Sequence, residues 1–262
     1  AISAARHVIS VLETDLKGHG HQTDSQPTPA PTAIPTPVPT PVAAPIDVAP
    51  PAANLLNTAI VQTCWQASRT TITPVCQQAA VAAINAARSA EPVPLPPLAL
   101  PAGYYQMPAP EQLFVLINLE RASRNLPAVG SMSVALDQQA VGLAQQNADP
   151  ALGGPDNIVA GVWGGDYGPT AMVFDWLYND GWDGVGTANG GCTSPTASGC
   201  WGHRSDLFTT QGGSGLVAGI GCSPSWSGRT DMESCTVEFA SGSNYGASAY
   251  TWSAIEGSQV GN

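Results

Sequence analysis

LVAGIGCS at 216–223 and SCTVEFA at 234–240 are short, β-branched and bounded by Gly and Ser, and each carries one cysteine. They read as two antiparallel strands tied together by Cys222 and Cys235. A final strand is expected at Ala249 to Ala254. The sequence before this pair has a different period. MPAPEQLFVLINLERASRNLPAV, from Met107, places Leu113, Leu116, Ile117 and Glu120 along one side, which predicts a helix over roughly 110–125. Pro110 and Glu111 suit its first turn. A second helix is expected from Ser133, with Leu136, Ala140, Leu143 and Ala144 at spacings of three and four. A third, TAMVFDWLYND, runs from Thr170 until Gly181 stops it. Helices first and strands last predict an α+β fold, a small sheet covered by helices.

Between the third helix and the strand pair lies CTSPTASGCWGHRSDLF, residues 192–208. Its histidine, His203, is the only one beyond residue 21. The preceding text, DGWDGVGTANGG, is too Gly-rich to hold a shape unaided. Closing a loop between Cys192 and Cys200 limits its unfolded freedom and fixes the entry of Trp201 and His203. The six cysteines fall in three close pairs, the third being Cys64 and Cys76. Six cysteines allow fifteen connectivities, and local pairing is the reading adopted. Zinc would want Cys-x-x-Cys or nearby Cys and His spacings, which the three intervals do not supply. Disulfides place the chain in an oxidising compartment, so it is expected to be secreted or extracellular, with cell-wall association an option. No basic and then apolar leader opens the sequence, so a signal peptide is expected to have been removed or to lie outside it.

Composition narrows the partners. Net charge is −11, with one lysine and seven arginines spread along the chain. A nucleic-acid surface needs clustered Lys and Arg, so nucleic acid is not an expected partner. No run of eighteen apolar residues occurs, and no transmembrane segment is expected. Only 10% of residues are charged, while 28 are Gly and 24 are Pro. That profile suits a loop-rich fold with extended segments.

The organisation follows from these shifts in texture. Residues 1–25 form an N-terminal segment with a short amphipathic helix ending at GHGH, where His19 and His21 lack a further ligand nearby. Residues 26–52 form a proline-rich linker, with ten prolines between Gln26 and Pro51. Proline fixes φ and removes donors, so this segment favours polyproline II and acts as a semi-rigid spacer or stalk. Residues 53–90 read as a helical hairpin pinned by Cys64 and Cys76, with Leu56, Ile60, Ala67, Val81, Ile84 and Ala87 at helical spacing and Pro74 between the helices. A second proline-rich linker covers 91–107, and the main domain covers 108–258.

Taken in order, INLERA (Ile117 to Ala122), PDNIVAG, the Trp-bearing helix FDWLYNDG, GHRSDL and the strand pair VAGIGCS and CTVEFA resemble the CAP superfamily. This SCP-like extracellular domain is shared by cysteine-rich secretory, antigen-five and plant pathogenesis-related proteins. The bacterial single-domain branch is the closest likeness. The resemblance covers about residues 108–255. It implies a secreted or surface-bound three-layer α-β-α sandwich with a broad cleft over the sheet. In members with a full site, two histidines and two acidic residues line that cleft and can hold a divalent metal.

Carried over by position, the second histidine matches His203 and the Glu of Glu-Asn-Ile matches Asp156, followed by Asn157. The acidic residue of the third helix falls near Asn179 or Asp180, and Asp180 is the candidate. The first histidine would fall within QQNADP, 145–150, which has none. Catalytic zinc wants three protein ligands, so a zinc hydrolase of the usual kind is disfavoured, and no cofactor is certain. His203 with Asp156 and Glu238 can still form a general-base group, since a carboxylate fixes the imidazole tautomer and raises its basicity. The structural alternative is that His203 starts a fourth helix and hydrogen-bonds to Asp156 or a backbone carbonyl. Arg204 and Asp206 read as surface or helix-terminus groups. Trp176, Trp201 and Trp182 either stack on a sugar or sterol or supply core. DGWDG at 180–184 loosely resembles a calcium loop but lacks its full pattern of acids.

Three functions remain open at this point. The first is a secreted CAP-like domain on a proline-rich stalk, binding a lipid, a glycan or a protein at the cell surface. The second is a hydrolase using His203 with Asp156. The third is a structural or adhesion protein of the wall.

Overall fold

The computed structural model describes residues 48–65, 72–184, 189–242, 245 and 248–259. All of them belong to one compact unit spanning Ala43–Asn262. The short helix expected within 1–25, the GHGH histidines and the proline-rich run up to residue 47 lie outside the described residues.

The fold is α+β, built on a five-stranded mixed sheet of order β2-β4-β3-β1-β5. The strands are β1 (Ser131–Ser133), β2 (Ile158–Asp166), β3 (Leu216–Ser223), β4 (Glu233–Ser241) and β5 (Ser248–Thr251). β3 and β4 pair antiparallel with Cys222 opposite Cys235, and these two form a disulfide. β1 runs parallel to β3 and antiparallel to β5. The final strand ends at Thr251, and Trp252–Gln259 continue as a helix, so the strand expected through Ala254 is cut short. The buried rings of Trp252 and Phe114, 6.5 Å apart, anchor that helix to the core.

β2 is the element the sequence concealed. Its IVAGVWGGD carries three glycines, which ordinarily weaken a strand. Each makes room for a bulky neighbour: a Cβ at Gly161, Gly164 or Gly165 would sit 2.2 Å from Pro150, 2.7 Å from Trp176 or 2.2 Å from Trp226. β3 uses the same device on the face that Gly219 shares with Gly161, both paired with Glu238. A Cβ at Gly219 or Gly221 would lie 2.5 Å from Leu136 or 2.0 Å from the backbone of Val141. These glycines let a helix, Val134–Gln146, lie directly on the sheet. Alternate residues of a strand face opposite sides. Accordingly Ala218, Ile220, Val237 and Phe239 turn away from that helix into the main core, which Phe114, Leu116 and Phe174 share.

Numbered in chain order, the helices are α1 (Thr58–Ile60, continuing as a π-turn over Val61–Trp65), α2 (Pro74–Ser89), α3 (Ala109–Ala122), α4 (Val134–Gln146), α5 (Pro169–Tyr178), α6 (Gly202–Leu207) and α7 (Trp252–Gln259). All three disulfides join the local pairs: Cys64 to Cys76, Cys192 to Cys200 and Cys222 to Cys235. Leu56, assigned to the apolar side of the hairpin, is exposed, while Ile60, Ile84 and Ala87 are buried. No described helix is long and apolar enough to cross a membrane.

The hairpin and the second proline-rich stretch are fastened to the rest rather than held apart from it. Leu95 and Tyr104 are buried, Leu95 N–H donates to the Arg88 carbonyl at 2.9 Å, and Leu98 N–H donates to Asn85 Oδ1 at 2.8 Å. Four arginines make the deeper attachment. Arg88, Arg121, Arg124 and Arg204 are each at most 1% exposed. Arg88 bonds Glu120 at 2.8 Å, Arg124 pairs with both Glu120 and Glu91, and Arg204 reaches Glu91 at 2.9 Å. Tyr178 donates to Glu120 at 3.0 Å, and the Arg124 and Arg204 guanidiniums lie 4.5 and 5.1 Å from the centre of the Phe208 ring. Arg204 is therefore a core residue, not the surface or helix-terminus group expected. Its N–H groups also reach the carbonyls of Leu177, Val48 and Ala49.

Removing one member of a buried charge network strands the remaining charges in a medium of low polarity. Glu91→Ala leaves Arg124 and Arg204 short of their shared carboxylate and is expected to cost about 3–5 kcal/mol of stability. Urea unfolding of the variant beside the parent checks this. A loss under about 1 kcal/mol would mean that water reaches the network.

Candidate functional site

α5 ends at Tyr178, and the chain turns through Asn179, Asp180 and Gly181. Asn54, from the segment ahead of the hairpin, clamps that turn: its Nδ2 donates to the Gly181 carbonyl at 2.9 Å and its Oδ1 accepts the Gly181 N–H at 2.7 Å. Leu55 N–H adds a bond to the Tyr178 carbonyl at 2.8 Å. Asp180 is thereby held rigidly, 2% exposed, facing the start of α6.

The Cys192–Cys200 loop delivers the partner. Gly199 packs on Gly191 so closely that a Cβ there would meet the Gly191 carbonyl oxygen at 2.4 Å. Trp201 adopts a left-handed φ of 61°, its N–H donates to the Asp180 carbonyl at 3.0 Å, and its ring covers Gly181. α6 then begins with His203 against Asp180. The His203 backbone N–H donates to Asp180 Oδ2 at 3.0 Å, and ring Nδ1 lies 2.6 Å from Oδ1. Asn189 donates to the same Oδ1 at 2.7 Å and to the Gly199 carbonyl at 2.7 Å.

Burial of the imidazole pulls its pKa down, but the hydrogen bond and charge of Asp180 outweigh this, with Asp149 and Asp206 adding to them, and the pKa rises above that of an ordinary histidine. Burial also raises Asp180, against the lowering effect of His203. With Nδ1 engaged by Asp180, Nε2 is the ring atom left for chemistry.

His203 and Asp180 line a cleft of about 530 Å³ with Asp149, Trp163, Asp166, Asp175, Trp176, Asn179 and Trp226. The Trp176 ring lies 6.3 Å from the imidazole, centre to centre. Asp166 and Asp175 line the same cleft. Asp166 is buried and accepts the Tyr167 N–H at 2.6 Å and the Trp65 indole N–H, from the hairpin, at 3.2 Å. Asp175 accepts from Asn179 at 3.0 Å. Burial first, and the neighbouring charge of Asp166 second, push the Asp175 carboxyl well above the usual carboxylate range.

The other expected residues lie elsewhere. Asp156 is half-buried at the turn before β2, where its carbonyl accepts from Tyr245, and Asn157 is exposed and donates to the Ser241 carbonyl at 2.9 Å. Glu238 sits under α4, where Gln139 donates to it at 3.2 Å. Its electrostatic neighbours are Asp156 and Asp137, so the Asp156–Glu238 pair belongs to the α4 side of the sheet and His203 to the cleft. Trp201 borders a separate cavity of about 450 Å³ beside Arg204 and Phe208. Asp183 of the DGWDG stretch is exposed. Among the described residues, no three His, Cys, Asp or Glu side chains are grouped so as to hold a metal ion.

Reasoning from sequence missed Asp149, Asp166, Asp175, Asn189, Trp163 and Trp226, and passed over Asn179 in favour of Asp180. The i, i+4 spacing of Asp175 and Asn179 was a readable sign that one helix end presents both to a single place. No protein-family model, curated protein or solved structure matches this chain.

The carboxyls give the fold a directed pH response. Burial raises Glu233 and Glu238 to about 7, and Asp137 and Asp206 to about 6. The folded state thus holds protons that the unfolded chain releases at lower pH. The resulting stability is fully present below the ordinary carboxylate range and is lost as pH rises through about 6 to 7. His203, also raised, acts in the same direction. The melting temperature is expected to fall between pH 5 and pH 8, and Glu238→Gln is expected to flatten part of that slope. A melting temperature that climbs over this range would contradict the assigned shifts.

Proposed function

We propose that this protein is a secreted, CAP-like ligand-binding protein whose ligand occupies the His203 cleft. The proposed architecture is the three-layer α-β-α sandwich of that superfamily, displayed at or beyond the cell surface by the proline-rich N-terminal segment. The observation that carries the reading is the contact of His203 with Asp180, at 2.6 Å, on the wall of a cleft large enough for a small molecule or a few residues of a polymer. These are the two residues that the resemblance assigns to the cleft at the third helix and at the Gly-His motif. The three disulfides suit an oxidising compartment.

The divalent metal of fuller CAP sites does not fit these residues. The position of the first histidine holds no imidazole, Asp156 is not on the cleft wall, and Nδ1 of the one histidine is engaged by Asp180. No step is routed through a metal.

A second reading, a hydrolase, is favoured by one feature. Asp180 orients the imidazole and is itself fixed by Asn189, which leaves Nε2 of His203 as a general base for water. In this reading Asp180 takes the place expected for Asp156.

Gly190 lies on the cleft wall, and a Cβ there would meet open space. Gly190→Trp is therefore expected to fill the cleft while leaving the melting temperature unchanged. Any soluble glycan, lipid or peptide that raises the melting temperature of the native chain is expected to lose that effect in this variant. Equal binding by both proteins would remove the cleft as the binding site. His203→Gln tests the second reading: hydrolysis, where present, is lost.

A further inference from the structure

The cleft is built for a particular chemistry. Among the described residues, four aspartates, Asp149, Asp166, Asp175 and Asp180, line it, and no arginine or lysine does. The one histidine on this wall is already paired with Asp180, so an anionic ligand finds no free charge partner among the described lining residues. Among the described lining residues the only long flexible apolar side chain is Met172. Three indoles, Trp163, Trp176 and Trp226, supply the apolar surface instead, and these are flat. The Trp163 N–H is already taken by Ser234 at 2.9 Å.

Three polar atoms of the residues on this wall are left over, one of them the Oδ2 of Asp166. Asn179 is 3% exposed, and its Nδ2 is spent on Asp175, but its Oδ1 has no hydrogen-bond partner among the described residues. Trp226 Nε1 is likewise buried and unpartnered. Leaving a buried acceptor and a buried donor unmet is unfavourable by roughly 1–3 kcal/mol each. Both belong to residues that line one cavity, where an entrant can meet them. The entrant must donate to an amide oxygen and accept from an indole, present a flat apolar face to an aromatic ring, and carry no negative charge.

We propose that the cleft binds an uncharged glycan. Sugar hydroxyls are donors and acceptors at once, and the C–H face of a pyranose matches an indole. The carboxyl groups of Asp149, Asp166 and Asp175 offer further partners to hydroxyls. Gly164 and Gly165 belong to this arrangement, since they allow Trp176 and Trp226 to rest directly on the edge strand β2 from its two sides.

This inference rests on the reading that the His203 cleft is the ligand site, and the experiment keeps the two apart. The full chain is titrated by calorimetry with neutral tetrasaccharides of β-1,4-glucose, β-1,4-N-acetylglucosamine and α-1,4-glucose and with arabinogalactan. Polygalacturonate serves as the anionic probe, and cholesterol-bearing vesicles as the apolar one. At least one neutral glycan is expected to bind the native chain and to be lost in Gly190→Trp. Trp226→Phe keeps the ring over Gly165 but removes the N–H donor, and is expected to weaken that glycan about tenfold, as for one lost hydrogen bond of about 1.4 kcal/mol. Vesicle binding that Gly190→Trp abolishes, with every glycan silent, overturns the glycan and leaves the cleft. Glycan binding that Gly190→Trp does not disturb overturns the cleft for this ligand. Equal affinity for polygalacturonate, or silence of all the neutral glycans, overturns the proposal.

Discussion

The buried arginine and glutamate network is the interaction on which the rest of the structure depends. Glu91 and Glu120 stand between three guanidiniums, and each arginine comes from a different part of the chain: Arg88 from α2, Arg124 just beyond α3, and Arg204 from α6. Burying such charges is tolerated when they are paired, and these are, although Glu120 Oε1 and Arg124 Nε have no hydrogen-bond partner among the described residues. Glu91 therefore ties the end of α2 to α6, and Glu120 with Tyr178 ties α3 to α5. Arg121, which has no carboxylate, is held by the carbonyls of Pro127, Leu207 and Thr209, and burial lowers its pKa to about 10. α5 carries the turn with Asp180, and α6 carries His203. The network thus sets the relative position of the two elements whose meeting makes the cleft.

This arrangement gives residues 48–107 a structural task. Val48 and Ala49 accept from Arg204, Asn54 clamps Gly181, and Trp65 donates to Asp166. Each contact lands on the cleft or one step from it. The CAP resemblance, which begins near residue 108, would make the preceding segments accessory. Their hydrogen bonds make them the frame of the site.

Much of the fold was legible because periodicity survives in α3, α4, α5, β3 and β4, where burial follows the apolar residues. β2 was illegible because three of its nine residues are glycines chosen for the width of Pro150, Trp176 and Trp226, and contacts between distant residues leave no local period. The burial of Arg204 was hidden by the ordinary behaviour of arginine at surfaces. Its partner Glu91 opens a proline-rich run that reads as a spacer. Of the site, His203 stood out as a solitary histidine beyond a cysteine loop. Asp180 was visible through the resemblance alone, and Asp156 seemed the better partner by position. Only the turn clamped by Asn54, 127 positions from Gly181, decides which carboxylate meets the ring.

The account makes the His203–Asp180 contact the organising pair of the cleft, and an NMR titration of the His203 imidazole tests it most directly. In the native chain the pKa is expected above that of an ordinary histidine, because Asp180 outweighs burial. In Asp180→Asn the largest raising influence is gone, burial remains and only the weaker charges of Asp149 and Asp206 oppose it, so the pKa is expected to drop from its native value. A native pKa at or below the ordinary value, unmoved by Asp180→Asn, would show that the pair does not form and would contradict the account.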